Sequence, residues 1–348
     1  MPEPVRLLLA FMLAALPSAV LCRVMMSVRI MDGPTEARKT QAHAIPTSGG
    51  VAVAVATALA VVAITELTDW NLDGTIFVTG GGAIIVLLIG LADDIVDLRA
   101  LLKLALLVGV SLGIPALGAR ADVLALWPGV AIEIPLVLAI LGSAFWLIVV
   151  VNAVNFMDGA NGLAMGMATV ASTGLALCAA IVGEWNIALL AVALAGGLVG
   201  FLVWNIPGRL FVGDAGALFA GAVLGGLGLE LVHARPELLF VPPMLLLPFL
   251  SDVLLTLAWR AMHGKHLFAA HRDHTYQIAL KAGLKHWNVA LVHAVWALNA
   301  AVVGVAATII GREVPTIAFI LLLLVSTWVH WKVRRSGVEA GLVGANIP

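Results

Sequence analysis

Long apolar blocks alternate with short polar interruptions along this chain. Eleven such blocks stand out, near residues 5–24, 49–66, 76–93, 101–117, 134–152, 161–182, 185–204, 214–232, 236–258, 287–308 and 313–332. Runs such as Ile84 to Leu91 and Ala144 to Val151 are continuously apolar, whereas the strands of a membrane barrel alternate. Because a helix needs roughly 20 apolar residues to cross the hydrocarbon layer, the pattern predicts an all-α integral membrane protein with about eleven transmembrane helices. The alternating run Val130 to Ile134, within 123–135, predicts a small hairpin. The polar interruptions are too short for a separate soluble domain, so residues 1–348 read as one polytopic membrane domain.

Composition removes the soluble alternatives. The chain is 62% hydrophobic and 11% charged with a mean hydropathy of +1.08, against about 25% charged in ordinary domains. The net charge of −1 carries little information, but its distribution does. With the N-terminus outside, fifteen of the lysines and arginines fall on the cytoplasmic side and only Arg6, Arg120, Arg235 and Arg312 do not. The positive-inside rule therefore predicts a cytoplasmic C-terminus and a multi-pass protein of the inner (plasma) membrane. The predicted cytoplasmic loops lie near 25–48, 93–101, 152–161, 205–214 and 259–286. Arg23 and Arg29 follow the first block, so it reads as a retained span rather than a signal peptide. Cys22 and Cys178 sit alone in apolar runs and read as core thiols. No nucleic-acid partner is expected.

Most aspartates also fall on the predicted cytoplasmic side, in four constellations. Asp93, Asp94 and Asp97 crowd one helical turn ahead of Lys103, a repulsion that a divalent cation or a cationic partner would relieve; a solvated acidic loop is the alternative. Asn152, Asn155, Asp158 and Asn161 recur at spacing three, with Gly159 and Gly162 expected to open a loop whose backbone approaches a ligand. An ordinary interhelical turn would also favour Asn and Asp there. Phe211-Val-Gly213-Asp214-Ala-Gly216, preceded by Trp204-Asn205, leads into a helix. Asp214 is either its N-cap or part of a site where backbone N–H groups meet an anion. The loop 259–286 holds Arg260, His263, Lys265, His266, His271, Arg272, His274, Lys281, Lys285 and His286 against Asp273. It reads as an anion-binding basin in which Arg272 clamps a diphosphate, or as a surface for anionic lipid. Metal, carboxylates and cationic clamps on one membrane face are what phosphoryl transfer needs.

In this order the four segments resemble the polyprenyl-phosphate N-acetylhexosamine-1-phosphate transferases of the glycosyltransferase family 4 type. Asp32-x-Pro34, Arg38-Lys39, His43 and Pro46-Thr-Ser-Gly49-Gly50 resemble that family's first cytoplasmic loop, and Pro248 and Asp252 its ninth span. The resemblance implies transfer of a sugar 1-phosphate from a UDP-HexNAc to undecaprenyl phosphate with release of UMP, the first membrane step of lipid-linked glycan synthesis. It also implies Mg²⁺ or Mn²⁺, with Asp214 and Asp94 as metal ligands, and Asp93 or Asp94 orienting or deprotonating the lipid phosphate. Asn155, Asp158 and Asn161 would contact the nucleotide with Phe211 stacking on uracil, Lys103 would neutralise the lipid phosphate, and Arg38, Lys39 and Asn205 would also bind substrate. His271, Arg272 and His274 would bind diphosphate and sugar. Both covalent and direct displacement remain open. Such folds are often homodimers, although no interface is legible.

Two departures bear on the donor. The peptidoglycan branch carries three successive histidines in the last loop, whereas His274 is followed here by Thr275, Tyr276 and Gln277. This resembles O-antigen and exopolysaccharide initiators more than the MurNAc-pentapeptide branch. At position 161, Asn stands where many members carry Asp. An intramembrane prenyltransferase would need a second Asp-rich motif, which the sequence lacks. A transporter would place its carboxylates near the bilayer midplane rather than at one boundary.

Overall fold

The computed structural model describes residues 1–27, 31–32, 45–266 and 271–343. In chain order the elements begin with α1 (Glu3–Met25), β1 (Met31–Asp32), β2 (Ile45–Pro46), α2 (Gly49–Thr68), α3 (Gly74–Val96) and α4 (Ala100–Ala116). The hairpin β3 (Val123–Trp127) and β4 (Val130–Glu133) follows, then α5 (Leu136–Phe156), α6 (Leu163–Ile181), α7 (Trp185–Asn205) and α8 (Gly213–Ala234). The remainder is α9 (Val241–Leu245), α10 (Leu247–Met262), α11 (Thr275–Lys281), α12 (His286–Ile310) and α13 (Val314–Glu339).

Among the described residues, nine helices are long and apolar enough to cross a membrane. A further pair, Pro236–Leu245 and Leu247–Met262, is bent by 74°. Pro242, Pro243 and Pro248 flank the bend; each lacks a backbone donor, which favours a break there. The one remaining predicted block, 101–117, is α4, a helix of 17 residues, about 26 Å long at 1.5 Å per residue. All eleven apolar blocks are thus helical, and the predicted hairpin forms with Leu124 opposite Ile132.

Helix α8 is the axis of the bundle. Every residue from Ala215 to Val232 is buried, and α2, α3, α5, α6 and α7 pack around it. Small side chains permit this, since close backbone approach is a main source of helix association in lipid. A Cβ on Gly221 would lie 2.8 Å from Val151 Cα, and one on Gly226 2.6 Å from Thr79 Cγ2. Helix α1 docks on α7 in the same way, where Ser18 Oγ donates to the Gly197 carbonyl at 2.6 Å.

Candidate active site

The C-terminal end of α3 and the N-terminal ends of α4 and α8 form an ion cluster at one end of the bundle. Lys103, in the first turn of α4, places its ammonium 2.8 Å from Asp93 Oδ2 and in contact with Asp214 Oδ2. Asp93 is fixed by its other oxygen, which accepts the Leu98 N–H at 2.9 Å. Asp214 keeps a third of its side chain exposed, which leaves this side of the cluster open. The cationic partner that the acidic turn called for is therefore Lys103.

Two sequence expectations change here. Asp94 was expected to share a metal with Asp214, yet its two oxygens accept the backbone N–H groups of Asp214 and Ala215 at 2.9 and 3.1 Å. The anion at the N-terminus of α8 is thus the protein's own carboxylate, and Asp93 is the residue that shares a cation with Asp214. Asp97 leaves the cluster altogether: it ends α3 in the left-handed conformation at φ 51° with its side chain exposed. Asp214 is not an N-cap, since Val212 holds that position and makes no side-chain bond. Gly213 has φ 70°, and a Cβ there would meet Asp94 Oδ2 at 2.5 Å.

The α5–α6 turn lies beside this cluster. Helix α5 stops at Phe156, and α6 starts after Gly162 at φ 76°, so the expected loop forms. Asn155, Asp158 and Asn161 are partly buried along it. Asn205, expected at the substrate, is instead a buried pin: its Oδ1 accepts Gly162 N–H at 2.7 Å and its Nδ2 donates to the Leu210 carbonyl at 3.0 Å. Phe211 is partly exposed, with its backbone fixed by Pro46 O at 2.8 Å and Gly49 N at 3.0 Å.

Asp158 lies outside the helices. Burial first, then the charges of Asp214 and Asp94, push its carboxyl up to about 7. A folded-state value above the unfolded one of about 3.9 means that bound protons stabilise the fold at low pH, a contribution lost as pH rises through about 7. Without divalent cation, the melting temperature is expected to fall from about pH 4 to about pH 7 and to level off above it. Asp158→Asn should flatten that slope, and an unchanged slope in thermal melts would contradict the placement.

The last loop is held by buried groups from α10 and α13. Asp252 accepts Thr275 N–H at 2.9 Å and Thr275 Oγ1 at 2.6 Å, which caps α11. His274, 4% exposed, lies 3.4 Å from Asp252 Oδ1. Its expected substrate contact gives way to this buried position at the start of α11. Arg260 pairs with Asp273 and donates to the His266 carbonyl at 2.6 Å. The side-chain atoms His271 Nδ1 and Arg272 Nη2 are buried without a partner among the described residues. Tyr276 ties this loop to the α5–α6 turn: its hydroxyl donates to the Phe156 carbonyl at 3.2 Å, and Gly159 leaves room for the ring. Arg334, which the sequence offered only as an inner-face cation, is buried within this network.

Arg38, Lys39 and His43 lie outside the described residues. A cavity of about 350 Å³ opens at the opposite end of the bundle, lined by residues that include Arg6, Trp70, Asp73, Asn186 and Glu230. Much of its polar lining is satisfied internally: Trp70 Nε1 donates to Asn186 Oδ1 at 2.6 Å, and Asn186 Nδ2 donates to Asp73 Oδ2 at 3.0 Å. Among the described residues no three His, Cys, Asp or Glu side chains are grouped to hold a metal by themselves.

Residues 76–232, which carry both aspartate motifs and the α5–α6 turn, match the family described as Glycosyl transferase family 4. The chain is 25% identical over 296 residues to a probable undecaprenyl-phosphate N-acetylglucosaminyl 1-phosphate transferase of Bacillus subtilis (strain 168), covering 83% of this chain and 81% of that one. It is 31% identical over 298 residues to the phospho-N-acetylmuramoyl-pentapeptide-transferase of Desulforudis audaxviator (strain MP104C), covering 77% and 87%. Identity to the enzyme of that name from Moorella thermoacetica (strain ATCC 39073 / JCM 9320) is 34% over 240 residues, covering 64% and 72%. The chain belongs to the polyprenyl-phosphate N-acetylhexosamine-1-phosphate transferase family. It is a transferase and a multi-pass protein of the plasma membrane.

Proposed function

We propose that this chain moves a HexNAc-1-phosphate from a UDP-sugar to undecaprenyl phosphate and releases UMP, at the face built from Asp93, Asp214 and Lys103. The observation that carries this reading is one compact cation held between two carboxylates, with part of the Asp214 side chain exposed. Mg²⁺ fits the same donors, because it takes one or two carboxylates and completes its shell with substrate phosphates. Asp214 and Asp93 would hold it, and when bound it would neutralise charge developing on the transferred phosphoryl group.

The chain's own residues supply position and charge. Lys103 offsets the carboxylates and offers ammonium donors to an incoming phosphate. Asp94 ties the end of α3 to the start of α8, so that Asp93 and Asp214 face each other across Lys103. Asn155, Asp158 and Asn161 border the nucleotide, and Phe211 offers a ring for uracil. His271 and Arg272 present buried nitrogens without a partner among the described residues, suited to the diphosphate. The attacking oxygen of the lipid phosphate displaces UMP from the sugar-bearing phosphorus. The cytoplasmic placement of this face follows from the excess of Lys and Arg in its loops.

A second donor has support in the relatives named for MurNAc-pentapeptide transfer. Thr275, Tyr276 and Gln277 after His274 favour donors without the pentapeptide, because the MurNAc-pentapeptide branch carries three successive histidines there. Purified protein supplied with undecaprenyl phosphate and a panel of UDP-GlcNAc, UDP-6-deoxy-HexNAc and UDP-MurNAc-pentapeptide is expected to turn over one of the first two. Turnover of the pentapeptide donor alone would overturn the assignment.

A further inference from the structure

An arginine near the end of the last long helix is expected to face lipid headgroups or water. Arg334 of α13 does neither, being 4% exposed. Its Nη2 donates to Thr256 Oγ1 of α10 at 2.8 Å and to the backbone carbonyl of Asp273 at 2.6 Å. Its guanidinium lies over the Trp259 ring at 4.4 Å, a ring that also carries Lys265 at 4.3 Å. Asp273 stands between Arg272 and His274, and its own carboxylate is held by Arg260. Two buried arginines thus grip the residue at the centre of the last loop, one through its side chain and one through its backbone.

We propose that Arg334 is a positioning residue for the donor: it fixes the backbone at Asp273 from behind, so that His271 and Arg272 meet the diphosphate in a set geometry. The inference rests on the reading of this loop as the diphosphate site. Three observations support it. His271 Nδ1 and Arg272 Nη2, buried without a partner among the described residues, immediately precede the gripped residue. The bond reaches a carbonyl, so no change in the loop's side chains replaces it. Arg334 also adds to the charge balance beside it: burial above all, then His274 and Arg260, with a smaller share from Arg334, push the His271 imidazole down to about 4 against the pull of Asp273. His271 is then a neutral hydrogen-bonding group at pH 7, next to the permanent charge of Arg272.

The test compares wild type, Arg334→Gln and Arg334→Lys in detergent, by hydrogen exchange of the 271–281 amides without substrate and by steady-state kinetics with the donor sugar nucleotide. Arg334→Gln is expected to speed exchange in this segment alone and raise KM about 10- to 100-fold, the range for losing a charged hydrogen bond, with a smaller change in kcat. The acid limb of kcat/KM should move to higher pH as a cation beside His271 is lost. Arg334→Lys retains a charged donor and should recover much of both effects. Unchanged exchange and KM in a folded Arg334→Gln protein would overturn the proposal, as would a Lys variant no better than Gln. Faster exchange in the variant together with no UMP release from wild type would leave the positioning role standing and remove the assigned reaction.

Discussion

Asp214→Asn is expected to lower turnover about a hundred- to a thousandfold, the usual scale for removing a preorganised electrostatic group from a reacting centre. The substitution keeps the shape of the side chain and the backbone N–H that Asp94 accepts, so α3 and α8 stay joined. It removes one of the two negative charges around Lys103. The site then loses half of its hold on a cation at the point where the diphosphate must be neutralised. The effect should fall on kcat more than on KM, because the stabilised charge develops as the phosphoryl group moves. A folded Asp214→Asn protein within tenfold of wild type would remove Asp214 from the site. Asp94→Asn is expected to act differently, by weakening the join between helices and lowering thermal stability along with activity.

The largest structural effect is expected at Gly50. Its N–H donates to the Val212 carbonyl at 2.9 Å, and a Cβ there would lie 2.6 Å from that oxygen and closer still to the backbone of Gly216. Backbone atoms of a buried helix cannot move aside as a flexible side chain can, so α2 and α8 would have to part at the level of Asp214. Forced overpacking of this kind typically costs about 1–3 kcal/mol and sometimes more. Gly50→Ala should therefore reduce the yield of folded protein and its melting temperature and abolish activity. Gly109→Ala, where a Cβ meets nothing within 4 Å, should be nearly neutral by the same measures. A Gly50→Ala protein that melts and turns over like wild type would contradict the packing described around α8.

The helices were legible in the sequence because each is encoded by its own apolar block, and the hairpin because alternation over Val130 to Ile134 has no other use. The site was legible as a set of segments, since short carboxylates and glycines gather at the ends of those blocks. Its inner wiring was not. Adjacent aspartates on a helix point about 100° apart, so whether Asp93 or Asp94 faces Asp214 depends on how α3 is rotated against α8, which no local pattern records. Asn205 looked like a substrate ligand because its neighbours did, while one of its actual partners, Gly162, is visible only once α6 and α7 are docked. Arg334 was hidden for a different reason: a cation near the end of an apolar block satisfies the positive-inside pattern, and nothing nearby in sequence announces its burial. The available signal was an arginine and a histidine, His330, four residues apart near the end of α13, a spacing that places both on one face.

The most direct measurement is the identity of the nucleotide released when purified protein is given undecaprenyl phosphate, Mg²⁺ and its UDP-sugar. Transfer of a sugar 1-phosphate breaks the bond between the two phosphates, so the account predicts UMP, formed only with the lipid phosphate and divalent cation present and in step with a lipid-linked diphosphate sugar. Release of UDP would mean that the sugar moves without its phosphate, and would contradict the reaction assigned to the Asp93, Lys103 and Asp214 face.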